Sequence, residues 1–202
     1  MRKSTLVVLL ALGATATGFV IASIASSLQG PGSAATASIA APPQKAALGW
    51  HETFGSAGQR LVFTVDSLQV VPSGWRARIG IANDTTAAYY VGDPRAKLAQ
   101  ATYGEPYGLM LLATGSHAEM LRRNNEGTLP APRPALSFDP RLPDVLEAGG
   151  SWKGTISAPG ALVAGSWVRA VFGAIVAVSD KPPRGAPTEV AWITDHAYRL
   201  RN

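Results

Sequence analysis

The 202-residue chain offers few side chains suited to catalysis, and their spacing does not assemble a recognisable site. Its three histidines, His51, His117 and His196, lie far apart and can meet only through the fold. His117-Ala118-Glu119 lacks the Pro-Cys-x-x-Cys that a zinc deaminase requires. The chain has no Cys, which removes disulfides, iron–sulfur clusters, thiolate zinc sites, a Cys nucleophile and a lipid-modified N-terminal Cys. It also has no Gly-x-Ser-x-Gly elbow, Gly-Lys-Ser/Thr phosphate loop, Gly-x-Gly-x-x-Gly turn or His-Glu-x-x-His helix. Asp139 and Asp144 flank Pro140 to Pro143, and Asp180 adjoins Lys181; turn and cap chemistry accounts for these carboxylates better than a catalytic pair. Asn83-Asp84-Thr85 matches a glycosylation acceptor but reads as a turn. No catalytic residue, metal site or cofactor is expected.

Side chains suited to binding are better represented. An exposed indole stacks on apolar ligand faces, and the chain has five Trp. Trp75 and Trp167 begin apolar-phased runs and are expected in a core. Trp50, before His51-Glu52, and Trp152, after Gly149-Gly150, are the surface candidates. A second set lies in a Pro-rich stretch, Asn124 to Pro143, which presents Leu129, Arg133, Leu136 and Phe138 among five prolines. Those prolines restrict the unbound conformations and so lower the ordering cost of binding. The alternative is that Leu136 and Phe138 plug the end of the domain.

The elements that must position these residues start after an unusual N-terminus. Arg2 and Lys3 precede an apolar run from Leu6 to Ala25, long enough for a membrane-spanning helix and also compatible with a secretory signal. An uncleaved anchor is the preferred reading, with removal of a signal peptide and secretion the alternative. In either case the positive-inside rule sends the body out of the cytoplasm. Residues 26–47 are small or Pro-rich, have almost nothing bulky to bury, and read as a linker. The domain is expected over residues 48–202. A hydrophobic content of 47% with only 15% charged residues is sufficient for one core of that size.

Within the domain the apolar period is two. Leu61, Phe63 and Val65 share a face, and Trp75, Ala77, Ile79 and Ile81 alternate with Arg76, Arg78 and Gly80, with a turn at Pro72-Ser73-Gly74 between the runs. Further strands are expected at Ala88 to Val91, Tyr107 to Ala113, Trp152 to Ser157, Trp167 to Val178 and Glu189 to Ile193. One helical turn is expected at Ser116 to Arg123. Short strands without alternating helices specify an all-β antiparallel sandwich. The Pro-rich stretch cannot be a central strand and must cross an edge or an end.

The run Phe63 to Ile81 closing on Asn83-Asp84-Thr85, followed by Leu146-Glu147-Ala148-Gly149-Gly150-Ser151-Trp152 and a strand ending at Pro159, resembles exported bacterial immunoglobulin-like domains. In that group a strand pair closes on an Asn-x-Thr/Ser turn and a Leu-x-x-Gly bend leads into a strand. The resemblance spans Gly49 to Val178. Ala148 stands where a Pro commonly precedes the Gly, and the Pro-rich insertion is additional. It implies an immunoglobulin-like β-sandwich acting in adhesion, binding or scaffolding, with no catalytic residues.

The formal charge is +5, or +3 with Arg2 and Lys3 set aside. The other cations are dispersed as Arg76 and Arg78, Arg122 and Arg123, and Arg199 and Arg201, without the clustered face and interleaved aromatics of a nucleic-acid binder. They could instead meet anionic lipid or an acidic envelope polymer, or simply solubilise the domain. The chain therefore reads as a membrane-tethered, extracytoplasmic, non-enzymatic binding or assembly module of a bacterial cell envelope, with a protein or envelope-polymer partner. Two alternatives remain. An accessory subunit of a membrane complex would expose an apolar patch, and an envelope hydrolase would need Asp, Glu, His or Ser side chains converging in a cleft.

Overall fold

The computed structural model describes residues 39–91 and 107–202; the expected anchor and most of the expected linker lie outside the described residues. Two antiparallel sheets pack face to face. The first has the order β1 (Gln44–Ser56), β2 (Gln59–Val71), β3 (Gly74–Asp84), β9 (Ser151–Pro159), β7 (Ser137–Asp139). The second is built on β10 (Trp167–Ala177). β5 (Gly108–Leu112) and β4 (Tyr89–Val91) pair with successive parts of β10, flanked by β6 (Arg133–Pro134) and β8 (Val145–Leu146). β11 (Glu189–Ile193) and β12 (Tyr198–Arg199) also pair with β10.

The core follows from the period-two pattern. Leu61, Phe63, Val65, Trp75, Ala77, Ile79 and Ile81 of the first sheet are buried with Tyr89, Val168, Ala170, Phe172 and Ile175 of the second. Phe63 packs on Phe172 at a ring separation of 4.9 Å and stacks on Trp192 at 5.5 Å. This is the sandwich the alternation predicts. The outer face of the second sheet has a smaller core, in which α1 (His117–Asn125) covers Met110, Leu112 and Val171 with Met120 and Leu129. Ser116 caps α1 by accepting the Glu119 N–H, which is why the helix starts there.

One expectation changes. The folded unit begins before residue 48: Ala40 bridges Val163, and β1 runs from Gln44 with Gln44 opposite Val70. The inward residues of its first half are Gln44, Ala46 and half-buried Leu48, a single bulky side chain and too little to read as an alternation. Gln44 is instead held by polar contacts, its Oε1 accepting from the Arg201 N–H at 3.1 Å and from the Tyr198 hydroxyl at 3.3 Å. Asn83 forms the turn read from its sequence, and its burial leaves no access for glycosylation. It is fully buried, and its amide donates to the carbonyls of Ala87, Leu146 and Glu147 while its oxygen accepts from Thr85. The turn at residues 83–85 and the bend at 146–150 are thus one clamp.

The Pro-rich stretch behaves as its prolines require. It supplies β6 to an edge of the second sheet and β7 to an edge of the first, stepping across where the Ala135 N–H bonds the Tyr107 carbonyl and the Leu136 N–H bonds that of Ser157.

Candidate functional site

The crossing of the Pro-rich stretch leaves a groove of about 310 Å³ between the two sheet edges. Pro132, Arg133, Pro134 and Leu136 form one side, Ala158 and Pro159 the other, with Trp75 also lining it. Leu136 is 70% exposed, a costly position for a Leu unless something covers it. The Arg133 guanidinium reaches across and donates to the Ala161 carbonyl at 2.6 Å through one of its five N–H groups. The groove therefore offers apolar walls, rigid prolines and a cation.

Of the six side chains expected to bind, Arg133 and Leu136 come together there. The other four lie elsewhere. Leu129 is buried beneath α1. Trp152 is also buried, its indole N–H donating to the carbonyls of Pro140 and Arg141, so it offers no surface. Phe138 is half-buried against Tyr107, with ring centroids 6.1 Å apart at 79°. Trp50 is half-buried and stacks on His196 at 5.9 Å.

A second cluster was not legible in the sequence. Glu52 of β1, only 8% exposed, accepts four hydrogen bonds: Oε1 from the His196 N–H at 3.0 Å and from Nδ1 at 2.6 Å, Oε2 from the Trp192 indole at 2.8 Å and from the Asp195 N–H at 3.0 Å. Burial alone would raise its carboxyl pKa, but the donors of His196, Asp195 and Trp192 outweigh burial and hold it below the ordinary 4.5. Asp195 in turn pairs with His117 of α1 at 3.0 Å. Beside them Arg169 is fully buried, its guanidinium donating to the carbonyls of Thr194 at 2.8 Å and Gly115 at 2.6 Å and to Met120 Sδ at 3.1 Å. Burial pushes its pKa down, opposed by the more distant charges of Asp195 and Glu52. An Arg inside the apolar run Val168 to Ile175 was the one sequence signal of this network.

His117 and His196 therefore converge on one segment, residues 194–196, while His51 is exposed elsewhere on β1. A carboxylate on Nδ1 orients an imidazole as a general base would need. The adjacent hydroxyl is already committed, since Thr194 Oγ1 donates to the His196 carbonyl and accepts the Ala170 N–H. Among the described residues no three His, Asp or Glu side chains gather in a way that would hold a metal ion. The cluster ties α1, β1, β10 and the segment after β11 together.

Arg76 and Arg78 face outward on β3, as their alternation predicts. Arg78 shares Asp66 with Lys153, at 3.5 and 2.7 Å, so one carboxylate offsets part of the positive charge there. Among the described residues no helix is long and apolar enough to cross a membrane. Comparison with known proteins finds no matching family model, curated protein or solved structure.

Proposed function

We propose that the chain is a non-enzymatic binding module of immunoglobulin-like type, held outside the cytoplasm by an anchor at Leu6 to Ala25. Its partner is a protein segment that lies extended in the groove between the sheet edges. The observation that carries this reading is the pairing of exposed Leu136 with Arg133 across walls of Pro132, Pro134 and Pro159. An apolar side chain covering Leu136 is taken out of water, and a carboxylate reaching Arg133 finds N–H donors that Ala161 leaves free.

The test places a photo-crosslinking residue at Leu136 in the full-length chain in intact membranes. Discrete adducts that disappear with Arg133→Glu support the groove. Crosslinking that is absent, or indifferent to Arg133→Glu, rejects it. Carbonate washing of the same membranes reads the tether separately, because an anchored chain stays in the pellet.

A hydrolytic reading has one observation in its favour, the convergence of His196 on Glu52 and of His117 on Asp195. It requires a turnover that His196→Gln abolishes while the fold is retained.

A further inference from the structure

The two ends of the sandwich differ in charge. The proximal end is the one at which the described chain joins the sheets: residues 39–41 pair with 162–164, and β1 starts beside the last strand residues of the chain. It is formed by residues 39–45, the β2–β3 turn and start of β3 at 71–76, residues 157–166 after and at the end of β9, and residues 198–202. These segments hold Lys45, Arg76, Arg199 and Arg201 and contain no Asp or Glu. All four cations are exposed, and among the described residues none is ion-paired. Arg133 adds a fifth cation on the flank, reaching the Ala161 carbonyl. The other end of the strands is mixed in sign, with Asp84, Glu147 and Asp180 among Arg60, Lys181 and Arg184.

We infer that this proximal end docks on an anionic phospholipid surface. Four unpaired cations on one end, with no Asp or Glu side chain in the segments that build it, match a negatively charged plane. The most exposed large apolar side chain of the described residues, Ile39 at 77%, lies in the same place, where it can enter the headgroup layer as the cations meet phosphate. The chain outside the structure leads the same way. Only residues 26–38 separate the apolar run from Ile39, and at full extension they span at most about 45 Å. The docking goes beyond the proposed tether and does not depend on it, since the charge segregation belongs to the folded domain. The groove of Leu136 borders this end and shares Trp75, Ala158 and Pro159 with it.

The chain has no Cys, so Ser73→Cys in the exposed β2–β3 turn takes a single environment-sensitive dye, and Ser179→Cys at the distal end provides the control. The full-length labelled protein is mixed with vesicles of phosphatidylcholine alone or of phosphatidylcholine with phosphatidylglycerol. The expected result is a blue shift at position 73 only with phosphatidylglycerol, none at position 179, and reversal in about 0.5 M salt, where the Debye length is a few ångströms. Each cation near such a surface contributes about fivefold, so Lys45→Gln, Arg199→Gln and Arg201→Gln together should weaken docking on the order of 100-fold. All three side chains are exposed, and an unchanged melting temperature verifies that the fold is kept. Equal shifts with both lipids, or a shift indifferent to the triple change, overturn the inference. So does a shift produced by soluble polyphosphate and not by phosphatidylglycerol vesicles, which would make this end a polymer site. Failure of the tether gives a different pattern: the unlabelled chain leaves the pellet on carbonate washing, yet the dye still distinguishes the two lipids.

Discussion

The Glu52 carboxylate accepts four hydrogen bonds, and its replacement by an isosteric amide measures what they contribute. Each carboxylate oxygen faces two donors. In Glu52→Gln the side chain keeps one acceptor oxygen and gains an NH₂ group. Turned toward Oε2, that NH₂ opposes both the Trp192 indole and the Asp195 N–H. Turned toward Oε1, it can donate to a neutral His196 Nδ1 but still opposes the His196 N–H. The cheaper orientation leaves one buried donor unsatisfied, at about 1–3 kcal/mol, and the remaining bonds lose their charge assistance, for a total of about 2–5 kcal/mol. In a domain of this size that is a fall in Tm of roughly 4–20 °C at pH 7. The pH dependence gives an independent check. The folded pKa of Glu52 lies below its ordinary 4.5, so its stabilisation is complete above the unfolded value and is lost as pH falls through the folded value. The variant cannot titrate there, so wild type and Glu52→Gln should converge as pH falls below 4 and diverge above 5. Glu119, held down to about 2 by hydrogen bonds from Arg122 and Arg123, is common to both proteins and cancels in the difference. Calorimetric melts across this range provide the assay. A variant within a degree of wild type at pH 7, or a gap as wide at pH 3 as at pH 7, would refute the reasoning.

Three further outcomes are expected. Ile79→Ala should cost about 2–5 kcal/mol in chemical denaturation, because Ile79 is fully enclosed between the sheets, whereas exposed Arg78→Ala should cost little; equal effects would contradict the register of β3. Tyr107→Phe should leave stability unchanged or raise it by up to about 1 kcal/mol, because the buried Tyr107 hydroxyl has no hydrogen-bond partner among the described residues and burial pushes its pKa well above the ordinary value; a clear loss in Tm would reveal a partner. Asn83→Asp should destabilise by more than about 3 kcal/mol, since it sets a carboxylate against three carbonyls, and soluble, fully folded protein with an unchanged Tm would dismantle the clamp argument.

Short-range pattern was sufficient for much of the architecture. Alternating bulky residues located β2 and β3, and short apolar runs between Gly/Pro loops located β10 and β11, because a pleat with a buried face imposes its demands within a few residues. The prolines of residues 124–143 likewise required an edge path, and the chain took one at both sheets. No strand was read at β1, because its inward face runs Gln44, Ala46, Leu48, Trp50, Glu52, with a polar or small residue at three of the five positions. What the tertiary structure alone decided is which distant segments meet. Glu52 and His196 are 144 residues apart, and Asn83 and Glu147 are 64 apart; no local period encodes either pairing. The fate of Trp152, the gathering of Lys45 with Arg199 and Arg201 at one end, and the opening of the groove at Leu136 likewise depend on strand order and register. Charge and exposure are properties of a surface, and the surface exists only after the sheets have packed.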